Sequence, residues 1–308
     1  MKANRHAVLM MQLSRLALII LFGSLAACTT TPEAHFQSTQ RAADTGNAQA
    51  QYELARCYEQ GKGVPSDYAK AAEYLRRSAA QGCPEAQALL GYFYGKGLGV
   101  TADPVVAAQW YRRAAEQGNA TAQLGMGYIY STGRGATQDM IQAVQWWQKA
   151  AGQNLAAAQV ALGQYYFEQG YTNVGCYKTA YRWFDLAAQQ GNPVAMNNLG
   201  MLHESGRGLP CKNFSEAARW YRLAAEHGNA KAKANLGCLY MEGRGVPPDD
   251  VQAYVWFKLS ADEGNGIGRS YLFSFQTNRP LKPDQLARAE QMIVDYKSRH
   301  PQPANGDR

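Results

Sequence analysis

The chain has 308 residues and a mass of 33.8 kDa, which by length alone fits one large domain or two ordinary ones. Its composition, 46% hydrophobic and 18% charged, excludes wholly disordered and collagen-like classes, and a single apolar run approaching membrane length excludes a multi-pass membrane protein. A formal net charge of +7 with a pI near 9.0 is the one global feature that points toward an anionic partner.

The first 27 residues have the layout of an export signal. Lys2, Arg5 and Arg15 precede or border an apolar run over 16–22, small residues follow this run, and no acidic residue occurs before Cys28. The run is too short to persist as a spanning helix, which favours cleavage before Cys28 over an uncleaved signal anchor. A start at Met11 instead of Met1 would give a shorter leader of the same kind.

The residues around this cleavage point carry a family resemblance. Leu25-Ala26-Ala27-Cys28 resembles the lipobox of bacterial lipoproteins, which implies that the Cys28 sulfur is lipidated, by a palmitate-type acyl chain, and anchors the protein in a membrane. Thr29 stands where an Asp would favour retention in the inner membrane, so the resemblance implies the outer membrane, with the folded body in the periplasm. Residues 28–41 are rich in Thr, Pro, Ser and Gln, and we predict that they form a flexible tether.

Beyond this segment the sequence repeats itself with a period of 36 or 37 residues. Each repeat ends at a stop residue, which is a glycine in all cases but one. Counted from the residue after each stop, a small, a large apolar, a second small and an aromatic residue fall at offsets of three, seven, eight and eleven. These offsets form one stripe of an α-helix. The stop residues are Gly46, Gly82, Gly118, Asn154, Gly191, Gly228 and Gly264.

Each unit is predicted to hold two helices. A Gly-x-Gly turn such as Gly61-x-Gly63 closes the first helix, because a helix end with positive φ favours glycine. A short connection then reaches an Asp or Asn suited to the N-cap of the second helix, which carries an aromatic residue at one fixed position. The N-caps are Asp67, Asp103, Asp139, Asn213 and Asp249, and the aromatic column is Tyr74, Trp110, Trp146, Trp183, Trp220 and Trp256.

This pattern resembles the Sel1-like repeat family, which is related to tetratricopeptide repeats, in stretches such as 107–120 and 236–246. The resemblance implies an all-α fold, a right-handed α-solenoid of stacked helix-turn-helix repeats, with six repeats over 42–264. The fourth repeat departs from the pattern, because residues 170–176 lack the Gly-x-Gly turn and leave Cys176 as the predicted N-cap.

The repeat pattern fails after Gly264. We predict a partial repeat and a capping helix over 265–299, since the last apolar face of a solenoid has no neighbouring repeat to cover it. Leu286, Ala289, Ile293 and Tyr296 would share the apolar face of the capping helix. Residues 300–308 are predicted to be a disordered tail.

Few residues suggest chemistry. A column of tryptophans could form a sugar-binding platform, but its recurrence at one position favours packing between repeats. No Ser-x-x-Lys, Gly-x-Ser-x-Gly or His-Glu-x-x-His motif and no phosphate loop occurs, and His203 and His227 are predicted at opposite ends of antiparallel helices, which disfavours a shared metal. We therefore predict a protein that is not an enzyme and uses no cofactor or metal.

Export would place the five cysteines that remain after Cys28 in an oxidising compartment, and because five is an odd number at least one would be free in a monomer. Cys57 falls on an apolar helix position and is predicted to be a small core residue. Cys176 and Cys211 lie in the loops of neighbouring repeats, and we predict a disulfide between them. Equivalent points on stacked repeats are roughly 10 Å apart, so the offset of two positions must close that gap.

Two surfaces are candidates for binding. The first is the face of the first helices that points away from the tryptophan column, where the repeats differ; its alternative reading is ordinary solvated helix surface. The second is a basic row in the turns, with Lys96 nearby, whose alternative reading is a solvated loop of incidental charge. The first surface comprises Tyr52, Arg56, Tyr92, Tyr128, Gln164, Asn197, Asn198 and Asn235, and the row comprises Lys62, Arg134, Arg207 and Arg244.

The sequence therefore predicts a lipid-anchored scaffold that binds protein partners of the cell envelope. The alternative is a binding module for envelope polysaccharide or peptidoglycan, which aromatic and basic side chains clustered in the groove would favour. Removal of Lys2, Arg5 and Arg15 with the leader lowers the Lys and Arg count from 31 to 28 against 24 acidic residues, a net charge of +4. This modest charge, in an exported protein, gives no support to nucleic acid as a partner.

Overall fold

The computed structural model describes residues 31–301, and these residues contain fifteen α-helices and no strand. The predicted signal peptide, Cys28 and residues 302–308 lie outside the described part. The helices are α1 Pro32–Asp44, α2 Ala48–Gln60, α3 Tyr68–Ala80, α4 Pro84–Lys96, α5 Pro104–Glu116, α6 Ala120–Thr132, α7 Met140–Gly152, α8 Ala156–Gln169, α9 Gly175–Gln189, α10 Pro193–Ser205, α11 Phe214–Glu226, α12 Ala230–Glu242, α13 Asp250–Asp262, α14 Gly266–Asn278 and α15 Pro283–Arg299.

The chain divides into two compact units, residues 1–102 and 103–308. In the first unit α2 packs against both α1 and α3, and α3 packs against α4. In the second unit consecutive helices from α5 to α14 pack in sequence, and α15 packs against α13. The fold is therefore an all-α solenoid built from helical hairpins, as the sequence predicts.

Shared caps and turns explain why all repeats except the fourth fold alike. Gly61 and Gly63 have φ values of 68° and 71°, and Asn154, which takes the place of a stop glycine, has a φ of 64°. The N-cap side chain of Asp103 accepts hydrogen bonds from the backbone N–H groups of Val105 and Val106, at 2.9 and 3.1 Å. The same capping occurs at Asp67, Asp139, Asn213 and Asp249.

In the third to sixth repeats the second helix presses a large ring onto a glycine of the first helix. A Cβ atom added to Gly237 would lie 2.6 Å from Cε1 of Phe257, which leaves no room for any side chain at that position. Gly163 stands in the same relation to Phe184, and Gly200 to Tyr221. In these four repeats the glycine that follows the large apolar residue is thus a packing requirement.

The tryptophan column lies one position away from these rings. Trp256 is buried, but Trp110, Trp146, Trp183 and Trp220 are half-buried, so the column forms the margin of the core rather than its centre. Basic side chains cover three of these rings: Lys149 lies 4.1 Å from the ring centroid of Trp146, and arginines cover Trp110 and Trp220. The deeply buried column is the following one, which includes Trp147, Phe184, Tyr221 and Phe257.

The prediction of a flexible tether is wrong for residues 32–41, which form most of α1. Thr39 and Ala43 are buried, and the Phe36 ring meets the Tyr58 ring edge-on at 5.5 Å. Gln51 donates a hydrogen bond from Nε2 to the Ala43 carbonyl of α1. In the next two repeats the equivalent glutamine donates to a carbonyl of the preceding second helix. Helix α1 thus fills the place of a second helix before the first complete repeat, and polar composition alone concealed this role.

The fourth repeat has its own turn, as predicted, but its capping residue differs from the prediction. Gly170 adopts a right-handed conformation with a φ of −61°, and five residues connect α8 to α9. Helix α9 begins at Gly175 with Val174 as N-cap, so Cys176 lies inside the first turn and does not cap the helix.

The predicted disulfide is absent from the structure, where Cys176 and Cys211 are both free thiols. The turn of the fifth repeat places Gly208, not Cys211, against the start of α9: a Cβ added to Gly208 would lie 2.8 Å from the Tyr177 carbonyl carbon. The exposed Cys211 follows three residues later along the loop.

The C-terminal segment continues the array by half a repeat. Helix α14 occupies the position of a first helix and contacts both α12 and α13. Helix α15 buries Ala289 and Ile293 on its predicted face, and Tyr296 donates a hydrogen bond to the Ala225 carbonyl at 2.7 Å. The imidazole of His300 stacks on Tyr296 at 4.3 Å, so the described start of the predicted tail is held against α15.

Candidate functional site

A groove of about 830 Å³ opens along the first helices of the second unit. It runs from Gln164 in α8, across α10 and α12, to Ile267 in α14, and an adjoining cavity of about 330 Å³ shares Gln164, Asn198 and Met201 with it. Four residues predicted from the sequence line it, namely Gln164, Asn197, Asn198 and Asn235.

The other predicted surface residues lie elsewhere. Tyr128 is exposed on α6 and does not line the groove, and Tyr52, Arg56 and Tyr92 belong to the first unit. Arg56 pairs with Glu59, with 3.2 Å between Nε and Oε2, and burial raises the pKa of Tyr52 above its usual range. The groove is therefore lined by four of the eight predicted partner-binding residues.

Side-chain amides form the floor and one wall of the groove. Asn235 donates a hydrogen bond from Nδ2 to Oδ1 of Asn197 at 3.0 Å, and Nδ2 of Asn197 lies 3.6 Å from the sulfur of Met201. Asn197 is only 4% exposed, which corrects its prediction as a surface residue: its role is to hold Asn235. Within the described chain, Asn198 and Gln164 have no side-chain hydrogen-bond partner.

An apolar strip lies beside these amides and was missed by the sequence analysis. Val194, Met201 and Ile267 line the groove, and all three are exposed large hydrophobic residues. Met201 occupies the repeat position of Gln164, ten residues after the stop, so the variation that identified Gln164 also marks Met201. Val194 and Ile267 lie three residues after their stops, a position that the sequence analysis did not single out.

A charged network closes the side of the groove near α11. Tyr221 donates a hydrogen bond from its hydroxyl to Oε2 of Glu204 at 2.7 Å, and Nη2 of Arg244 lies 3.2 Å from Oε1 of the same carboxylate. Burial, together with the Glu204 charge, raises the pKa of Tyr221 far above its usual range, so this hydroxyl remains a donor. Glu204 therefore enters the groove wall with its charge already compensated.

Of the other charged residues that line the groove, Glu263 is paired and Lys231 is exposed. Glu263 pairs with Lys233, whose side chain is 1% exposed and whose ammonium lies 5.1 Å from the ring centroid of Tyr296. Lys231 is exposed on α12. The groove thus offers amide and apolar contacts rather than a field of one sign.

Two residues of the predicted basic row are bonded within the fold. Arg207 donates a hydrogen bond to the Tyr171 hydroxyl at 3.0 Å and lies 4.7 Å from the centre of that ring, while Arg244 pairs with Glu204 and Glu242. Lys62 and Arg134 are exposed in their turns, the former in the first unit and the latter in the second. Two of the four charges are therefore used inside the fold.

The described residues contain no group of three or more His, Cys, Asp and Glu side chains arranged to hold a metal ion. His203 is half-buried, and burial lowers the pKa of its imidazole. Over residues 31–301, none of the helices combines the length and the apolar character needed to cross a bilayer.

The fold and the groove define a class: an α-helical repeat protein whose variable surface lies on the first helices of its hairpins. The chain belongs to the Sel1 repeat family, whose model matches 48–83, 84–119, 120–155, 156–192, 193–229 and 230–265. Proteins built from Sel1 repeats generally serve as scaffolds for protein interactions, a non-catalytic type of fold.

Two solved structures show the same architecture. A protective antigen present in uropathogenic Escherichia coli strains, which displays an SLR fold, is 34% identical with a TM-score of 0.80 over 87% of this chain. The chain spans only 57% of the length of that antigen. A Sel1 repeat protein from Oxalobacter formigenes is 32% identical with a TM-score of 0.66, over 84% of this chain and 99% of its own. No relative was found among curated proteins.

Proposed function

We propose that the chain is a scaffold or adaptor that binds protein partners of the cell envelope through the groove of its second unit. The observation that carries this proposal is the groove itself, where amide side chains with unused hydrogen-bonding capacity lie beside exposed apolar residues. Interfaces between proteins combine these two kinds of contact.

The lining of the groove also supports one of the two partner classes that the sequence leaves open. Sugars are commonly held by stacking on exposed aromatic rings, and Tyr221 is the single aromatic residue among those that line the groove. Its ring is fully buried and its hydroxyl is bonded to Glu204. This lining favours a protein partner over envelope polysaccharide or peptidoglycan.

The cellular location is also a proposal, and it rests on the N-terminal leader sequence. We propose that Cys28 is lipidated and that the folded body faces the periplasm from the outer membrane. Metabolic labelling with a palmitate analogue should mark the wild-type chain and leave a Cys28→Ser variant unmarked. Recovery of the Cys28→Ser chain in the outer-membrane fraction at the wild-type level would contradict the lipid anchor.

Photo-crosslinking in cells tests the scaffold function. A photoreactive phenylalanine analogue replaces Gln164, an exposed groove residue, and in a matched control it replaces Gln276, an exposed residue of α14 outside the groove. We expect a protein adduct of defined mass from position 164 and none of that mass from position 276. Absence of any protein adduct at position 164, together with retention of the chain on isolated cell-wall sacculi, would overturn the proposal in favour of glycan binding.

A further inference from the structure

The groove has the dimensions of an extended polypeptide. Its lining starts in the fourth repeat and ends in the half-repeat after the sixth, which makes three steps between successive first helices. With packed helices about 10 Å apart, the groove is roughly 30 Å long. An extended chain advances about 3.3 Å per residue, so about nine residues would fill it.

The amide groups have the chemistry of a peptide backbone. Each Asn or Gln side chain offers one carbonyl acceptor and two N–H donors, which match the C=O and N–H groups along a main chain. Asn235 uses one donor toward Asn197, and its own Oδ1 receives no hydrogen bond from the described residues. Asn198 and Gln164 supply further unused amides on the neighbouring first helices.

The internal bonds also fix the geometry of this row. Asn197 accepts from Asn235 and is itself buried, so Asn235 is held with its remaining acceptor available to the groove. A polar group that is positioned before binding loses less conformational entropy when a ligand arrives. Asn197 is thus a positioning residue, and Asn235 and Asn198 are the groups that would contact a ligand.

The apolar strip adds side-chain selectivity. Val194, Met201 and Ile267 lie along the same groove, and successive side chains of an extended segment point to opposite sides. Every second side chain of the ligand would therefore face this strip. The carboxylates of Glu204 and Glu263 already have cationic partners, and Lys231 is a single exposed charge of the lining. The segment that fits is therefore one without a run of charges.

We propose that the groove binds an extended, largely uncharged polypeptide segment of about nine residues by hydrogen bonds to its main chain, with alternate apolar side chains on the strip. This inference rests on the proposed scaffold function and states how that function is carried out. A folded partner surface and a glycan chain are the other occupants that the experiment distinguishes.

The probe is a library of acetylated, amidated decapeptides screened against the purified full chain, followed by a scan in which each backbone N–H of the best peptide is methylated in turn. We expect methylation to weaken binding at alternate residues, and Asn198→Ala and Gln164→Ala each to raise Kd by roughly tenfold, the loss expected for one good hydrogen bond. Gln164 is exposed and unbonded, so its variant should fold normally. The matched control, Gln276→Ala, should leave Kd unchanged.

Each remaining result contradicts the inference in a separate way. A protein adduct at position 164 without binding of any decapeptide would retain the scaffold function and overturn the extended-segment mode. Binding that tolerates methylation at every residue would overturn main-chain recognition. Binding of purified peptidoglycan fragments in place of peptides, with the same loss in Gln164→Ala, would overturn the scaffold function as well.

Discussion

The sixth repeat and the half-repeat after it place very different residues at equivalent positions. Gly237 in α12 lies under the ring of Phe257, whereas Phe273, 36 residues later in α14, is 74% exposed. The difference is the second helix: α13 supplies the ring that demands a glycine, and among residues 31–301 no helix supplies such a ring to α14. A phenylalanine at this position could not be accommodated in a complete hairpin, so Phe273 marks where the array ends.

The sixth repeat also differs from earlier repeats in its polar contacts. In the first, third and fourth repeats a glutamine at the end of the second helix donates to a buried glutamine of the first, as from Gln153 to Gln123 at 2.8 Å. In the sixth repeat Lys233 and Glu263 replace that pair, and Lys233 lies under Tyr296 of α15. The last complete repeat is therefore adapted to the helix that covers it.

The largest expected effect on the sixth repeat comes from Lys233→Ala. Removing one partner of a buried ion pair leaves the other charge uncompensated, and we expect a loss of about 3–5 kcal/mol in the free energy of unfolding. Urea denaturation followed by circular dichroism measures this loss. The double variant Lys233→Gln with Glu263→Gln restores the pair used by other repeats, and its loss should be at most about 1.5 kcal/mol. An equal loss in both variants would show that the ion pair itself is required.

Much of this fold could be predicted from the sequence, because the residues that define the helix ends occur again in several repeats. The stops, the Gly-x-Gly turns and the N-caps recur, and each identifies a helix end through one local conformation. Helix α1 was missed because it has the polar composition of a linker and makes its few buried contacts through Thr39 and Ala43. Composition averages over a segment, whereas packing depends on which positions face the neighbour.

The groove could be predicted only in part for a related reason. Variation between repeats singled out Gln164, Asn198 and Asn235, which do line it. The same criterion selected Asn197, which is buried, and the shared basic position in the turns selected Arg207, which is bonded to Tyr171. Neither criterion reveals which side chains are already paired. Pairing depends on residues tens of positions away, as with Asn197 and Asn235.

A smaller effect is expected from Gly237→Ala. The added methyl group would press against Phe257, which is fully buried and cannot move aside, and we expect a loss of about 1–3 kcal/mol. Gly152→Ala is the matched control, because a Cβ at this helical glycine meets no atom within 4 Å. It should stabilise the protein by up to about 1 kcal/mol through helix propensity. A gain in both variants would mean that the ring does not require a glycine.

Phe273→Ala should change the free energy of unfolding by no more than about 0.5 kcal/mol, since the side chain is exposed. Phe275→Ala, two residues away in the same helix, removes a buried ring and should cost about 3–5 kcal/mol. Thermal unfolding of the two variants under identical conditions makes the comparison. A large loss in Phe273→Ala would show that this ring is covered by some part of the chain outside residues 31–301.

The last prediction concerns how firmly the half-repeat is held against the sixth repeat. The alkylation rate of a cysteine in the wild-type protein measures it, so no destabilising substitution is needed. Cys238 in α12 lies beside the Tyr271 hydroxyl of α14, and burial raises the pKa of its thiol to about 11. Because the thiolate is the reactive form, iodoacetamide at pH 8 should modify the exposed Cys211 well before Cys238, as measured by peptide mass spectrometry over time. Unfolding in guanidinium is the control and should bring the two alkylation rates together.

Since the Cys238 thiol has a higher pKa in the folded protein, its contribution to stability is present below about pH 9 and is lost as the pH rises toward 11. Equal alkylation rates in the native protein would mean that α14 detaches from α12 readily, and the end of the groove at Ile267 would then open with it.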